Sequence, residues 1–159
     1  MAKRQVFYSF HFDNDAMRVQ QIRNIGALED NKPVSPNDWE AVKRGGDAAI
    51  RTWIDAHMSN RSCVVVLVGA ETAHRKWVSY EIEKAWDDNK GLFGIYIHNL
   101  KDPTTGRGPQ GSNPFEPWIF EQSGDVARIA CYNPNPTDAY GDIARNMEKW
   151  VETAIAQRV

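Results

Sequence analysis

The chain has little cysteine, no excess of either charge and no long apolar run, and each shortage excludes a class of protein. Its two cysteines, Cys63 and Cys131, both fall inside apolar stretches. They are too few for a disulfide framework or a cysteine metal set. They read as buried, unpaired thiols in a reducing compartment, the cytoplasm. Nineteen basic and 21 acidic side chains leave a formal net charge of −2 with no Lys/Arg run, a poor footprint for nucleic acid. Nothing approaches the ~20 apolar residues of a membrane span, so no membrane partner is expected. The start, MAKRQVFYSF, is basic and then apolar, but its apolar part is too short and too aromatic for a signal peptide and reads as a first strand. The glycine-rich phosphate cradles G-x-G-x-x-G and G-x-x-x-x-G-K-[ST] are missing, as is the G-x-S-x-G elbow. Gly106, Gly108 and Gly111 are spaced differently and lead into no helix. His11, His57, His74 and His98 show no metal-ligand spacing, so no metal site is expected.

What the chain does have is alternation. Its 159 residues suit one domain, 1–159, with a sizeable core. Arg4 to Phe10 reads as a first strand, followed by a helix to about Ile25 that Asp13 or Asp15 can cap. A short strand is expected over Lys32 to Ser35. Asp47 then reads as the N-cap of a helix whose stripe includes Ile50, Trp53, Ile54 and Met58. The continuous apolar run Cys63 to Ala70 reads as a buried central strand. Helical spacing follows from His74 to Asn89, then strands over Gly91 to Leu100 and Asp125 to Tyr132. Thr137 or Asp138 caps a closing amphipathic helix. This order predicts an α/β fold: a mainly parallel sheet of about five strands with helices on both faces, flavodoxin-like in class. The stretch 99–125 is rich in Gly and Pro and lacks periodicity. Phe115, Trp118, Ile119 and Phe120 make it an ordered loop packed beside the sheet edge, not a disordered one.

The candidate site comes from placement. A helix leaving a parallel strand starts at the carboxyl edge of the sheet, where open α/β sheets bind ligands. Glu81 lies one turn into such a helix, with Trp77 four residues before it. A carboxylate and an indole at that edge suit a positively charged or planar substrate, although a helix glutamate is far more often solvated and a tryptophan more often packing. Ser9, Phe10, His11 and Asp13, at the end of the first strand, reach the same edge if the strands are parallel. His11 could bond a ribose or phosphate and Phe10 could stack on a base, and an ordinary strand-to-helix turn explains the same residues equally well. Arg18 and Arg23, on the following helix, are candidate phosphate partners that read more readily as solvated charges.

In order and spacing, VFYSF followed by acidic residues, then GGDAAIRTWIDAHMSNRSCVVVLVGAETAHRKWVSYEIEKA, resembles Toll/interleukin-1 receptor (TIR) domains. SFHF with the later IHNLKD…NPF is similar to the bacterial TIR-like family of the Thoeris antiphage system, ThsB-type. The resemblance covers nearly the whole chain. It departs from many TIR enzymes at Arg75, where they carry Ser, and at Val78, where they carry Cys.

The resemblance implies a flavodoxin-like, TIR-like fold and an antiphage-defence enzyme. Such an enzyme cleaves the nicotinamide–ribose bond of NAD+ and closes the product into a cyclic ADP-ribose isomer. That second messenger activates a partner effector. A phage component as trigger and self-assembly belong to the same picture. NAD+ is then substrate and no cofactor is needed. The family's catalytic glutamate falls on Glu81. Two other functions remain open at this point: a non-catalytic TIR-like interaction module, and a nucleoside-processing glycosyl transferase using the same edge and glutamate.

Overall fold

Runs of β-branched residues alternating with amphipathic stretches can bury all their apolar faces only by layering helices on both sides of a sheet. The computed structural model describes residues 4–26, 41–73 and 75–158, with the side chains of 12–14 outside the description. In chain order the elements are β1 (Val6–Ser9), α1 (Phe12–Ile25), α2 (Gly46–Met58), β2 (Cys63–Val68), α3 (Lys76–Asp87), β3 (Gly91–Tyr96), β4 (Phe120–Gln122), β5 (Asp125–Ala127), β6 (Cys131–Tyr132) and α4 (Ala139–Gln157). Strands β1, β2, β3 and β6 form one sheet in that order, every pair parallel. Val6 lies opposite Cys63 and Ser9 opposite Val66, so β1 and β2 run in step towards one carboxyl edge.

β2 is flanked on both sides and buried at every position, which is why its sequence is continuously apolar instead of alternating. Its side chains feed two cores. Val65 and Leu67 join Val6, Tyr8, Phe93 and Ile95 against Val19 and Ile22 of α1 and Ile143, Met147 and Val151 of α4. Val64, Val66 and Val68 join Phe7 and Leu92 against Ile50, Ile54 and Met58 of α2 and Val78, Ile82 and Ala85 of α3. This is the expected three-layer α/β architecture.

Several details differ from expectation. The described residues give the sheet four strands instead of five, and the strand expected at 32–35 lies outside the described residues. The strand expected over 125–132 is two strands. Ser123 and Gly124 take φ of 55° and 85°, the left-handed pair that a tight hairpin turn requires. The chain therefore folds β5 back antiparallel on β4, and only Cys131–Tyr132 reach the main sheet. The strand from Gly91 stops at Tyr96, and Leu100 closes a turn on Ile97.

The expected caps divide. Asp138 does cap α4, accepting from the Gly141 amide at 3.2 Å. Asp47 does not cap α2. Gly45 holds that place, Asp47 falls in the first turn, and its carboxylate pairs with Lys76. For α1 the N-cap is His11, with no side-chain cap, and Asp15 lies inside the helix. Both cysteines are unpaired, Cys63 buried but Cys131 only half-buried, because it sits in the two-residue edge strand β6.

The 99–125 segment packs on the sheet. Phe115 is 5% exposed and seats where Gly94 leaves β3 bare; a Cβ there would stand 2.9 Å from the ring. Phe120 meets Trp86 and Phe115 edge-on at 5.0 and 6.2 Å. Among the described residues no helix is long and apolar enough to cross a membrane.

Candidate functional site

The alternation of β1 sends Val6 and Tyr8 to one face and Phe7 and Ser9 to the other. Ser9, its last residue, therefore faces α3. There its Oγ donates to Glu81 Oε1 at 2.9 Å, joining residues 72 positions apart. Both are buried, Ser9 at 0% and Glu81 at 7% exposure. Glu81 shares the inner face of α3 with Val78, Ile82 and Ala85, so it is inside the core stripe and not at its edge.

A carboxyl group in such surroundings resists ionisation. Burial pushes Glu81 from the ordinary 4.5 up to about 8, and the Ser9 hydrogen bond pulls back only part of the way. A buried acid held by one neutral hydroxyl is a poor structural device. Acids perturbed in this way cluster at functional sites.

The remaining candidates are spread around this pair. Trp77 is half-buried one turn before Glu81. Its ring meets Tyr80 edge-on at 5.8 Å, and the Lys76 ammonium lies 4.9 Å from its centre. Phe10 is on the other side of the sheet, packed against the α1–α4 core with the Arg23 guanidinium 5.6 Å from its ring. His11 stands at the start of α1, and its Nδ1 is buried without a hydrogen-bond partner among the described residues. Asp13 is in the first turn of α1, its side chain outside the description. The structure thus brings Ser9 and Glu81 into contact, leaves Trp77 and His11 near the same edge, and takes Phe10 to the opposite face. No group of three or more His, Cys, Asp or Glu among the described residues could hold a metal.

Sequence reasoning missed a second polar cluster at this edge. Asp15 is fully buried against Gly69, one residue beyond β2; a Cβ on that glycine would fall on its carboxylate. Thr72 Oγ1 donates to Asp15 Oδ2 at 3.4 Å and accepts from the Gly69 amide at 2.8 Å. Burial raises the Asp15 pKa against the pull of the neighbouring Arg18 charge. Arg18, expected to be solvated, is 6% exposed. It donates to the carbonyls of Leu100 at 2.9 Å and Gly106 at 2.8 Å, with Asp15 Oδ1 at 3.7 Å. The Asp15 and Arg18 spacing fits any exposed helical ion pair, so no local signal could have shown that a loop more than 80 residues later would cover it.

Comparison with known proteins bears on this arrangement. Residues 7–102 match the family model described as Thoeris protein ThsB, TIR-like domain. The match spans Ser9, Trp77 and Glu81. Over 137 residues the chain is 34% identical to a Bacillus cereus (strain MSX-D12) protein named "Putative cyclic ADP-D-ribose synthase ThsB1", covering 83% of this chain and 71% of that protein.

Proposed function

This chain belongs to the Thoeris ThsB TIR-like family, and from that premise we propose that it cleaves NAD+ at the nicotinamide–ribose bond and closes the product into a cyclic ADP-ribose isomer. The observation that carries the reading is the buried Ser9–Glu81 pair at the carboxyl edge of a parallel sheet.

In this reading the substrate's cationic nicotinamide changes the state of Glu81. An adjacent positive charge favours the carboxylate, so binding drives off the proton that burial retains. Ser9 holds Oε1 in place and fixes the direction in which the charge faces. As the C1′–N bond breaks, its electron pair leaves with neutral nicotinamide and positive charge builds on the ribose. A fixed carboxylate in a dry site stabilises that charge more than the ground state, which lowers the barrier. The anomeric carbon is then captured by a nucleophile of the same molecule, and one proton is shed. Trp77 and His11 are the substrate contacts of this reading, with Asp13 beside His11. Phe10 supports the edge by packing from the opposite face. NAD+ is consumed as substrate, and the cyclic product is a messenger for a partner effector in antiphage defence.

The test is incubation of the pure protein with NAD+ and, separately, with nucleosides, with and without infected-cell lysate, followed by mass analysis. Nicotinamide and a cyclic product from NAD+ are expected. Cleavage of nucleosides alone would point to a glycosyl transferase. No turnover under any condition would favour an interaction module.

A further inference from the structure

Building on that reading, we infer that Arg18 is a positioning residue: it pins the 98–111 loop over the carboxyl edge and so sets how much product is cyclised and how much is hydrolysed. Once nicotinamide has left, the anomeric carbon has two fates. An intramolecular nucleophile gives the cyclic product, and water gives linear ADP-ribose; each route sheds one proton. The ratio depends on whether water reaches the carbon before the ring closes.

The loop is placed to decide this. His98 accepts from the Gly108 amide at 2.9 Å, and Asp102 and Gly106 pair through both amides at 2.9 and 2.8 Å, which makes the loop a compact flap. At Gly111 it passes so close to the Gly69 carbonyl, just past the end of β2, that a Cβ would collide with it. Ser9 ends β1, the neighbouring strand of that edge, and Glu81 reaches it from α3. Among the described residues two side chains of α1 fasten the flap, Arg18 from a buried position and Gln21 from an exposed one. Arg18 donates Nε to the Leu100 carbonyl and Nη2 to the Gly106 carbonyl, and Gln21 adds a bond to the Lys101 carbonyl from an exposed position. Asp15 aims the guanidinium, and Thr72 ties Asp15 back to the β2 turn. A planar fork suits two carbonyls a few residues apart, and an ammonium reaches only one. Arg18 touches neither Ser9 nor Glu81, so it acts through the loop and not on the substrate.

The experiment compares wild type, Arg18→Gln, Arg18→Lys and Gly111→Ala. Linear and cyclic products from NAD+ are resolved by liquid chromatography and mass, and amide hydrogen exchange is followed over 98–111. Gly111→Ala lifts the flap without altering Arg18, so it keeps the test alive if Arg18→Gln does not fold. In Arg18→Gln the linear-to-cyclic ratio should rise at least about tenfold, because both charge-assisted hydrogen bonds are lost and one alone is worth about that factor. Total nicotinamide release should stay within about threefold. Arg18→Lys should fall between, Gly111→Ala should follow Arg18→Gln, and exchange should quicken at Gly106 and Gly108. A folded Arg18→Gln with an unchanged ratio overturns the inference while leaving the proposed reaction standing. A wild type that releases no nicotinamide overturns the reaction, and the partition claim with it; the exchange data then report only whether Arg18 holds the loop.

Discussion

Glu81→Gln separates the charge of the buried carboxyl from its shape. The amide keeps an acceptor for the Ser9 hydroxyl, which donates at 2.9 Å in the wild type, but it has no proton to lose. In the native protein burial raises Glu81 to about 8, against 4.5 for the free side chain. Its contribution to stability is therefore fully present below pH 4.5 and is lost as pH rises through about 8, because the unfolded chain ionises first. At about 1.4 kcal/mol per pH unit, the gap between those values amounts to roughly 5 kcal/mol, of which about 4 kcal/mol is lost between pH 5 and pH 9. For a chain of this length 1 kcal/mol moves the melting temperature by about 2–4 °C. Between pH 5 and pH 9 the wild type should thus lose on the order of 10 °C relative to the Gln variant, read by calorimetry on both proteins in matched buffers. Nicotinamide release by the variant should fall roughly 10²-fold or more. Wild-type kcat/KM should climb with pH towards about 8, as more of the free protein carries the carboxylate. A melting difference that does not change with pH would show that Glu81 is not held protonated. Near wild-type turnover by the Gln variant would remove it from the chemistry.

Other residues give sharper structural checks. Asp138→Ala, which removes the α4 cap, should lower stability by about 1 kcal/mol in urea titration, whereas Asp47→Ala should leave the melting temperature unchanged because its partner Lys76 is exposed. Both thiols have pKa values pushed by burial up to about 12; a thiol reagent at pH 8 should label neither quickly in the native protein and both once it is denatured. Phe115→Ala empties the seat over Gly94 and should cost about 3–5 kcal/mol; a loss under about 1 kcal/mol would mean that the loop does not pack on β3.

The layering was legible because burial leaves a compositional trace. β2 reads as a central strand since every position from Cys63 to Val68 must be apolar when both faces and both edges are covered. Glu81 could be placed at the carboxyl edge for a related reason: the strand-to-helix switch fixes where α3 begins. Its burial was not legible, because one glutamate on an apolar stripe looks like one glutamate at its margin until Ser9 arrives from β1. The Asp47 cap failed by a register of two residues, with Gly45 opening the helix. The hairpin at 120–127 was missed because the Ser123–Gly124 signal was absorbed into a longer irregular stretch. Arg18 was misread because a side chain's exposure depends on what covers it, and its cover lies 82 and 88 residues away.

The order in which the chain is made gives the end of α4 a further consequence. Arg158 lies over the Trp86 ring at 3.3 Å and donates to the Trp86 carbonyl and to Gln122 Oε1. Gln157 donates to the Arg128 carbonyl and accepts from Gln122. These contacts fasten the β4–β5 hairpin to the end of α3. During synthesis the hairpin emerges some thirty residues before Gln157, the Gln157–Arg128 separation being 29, so until then it rests on Trp86, whose indole donates to the Glu121 carbonyl at 3.2 Å and meets Phe120 edge-on. The last helix therefore completes two things at once: Ile143, Met147 and Val151 close one face of the β1–β2–β3 layer, and Gln157 and Arg158 add the second set of ties to a hairpin that Trp86 already holds.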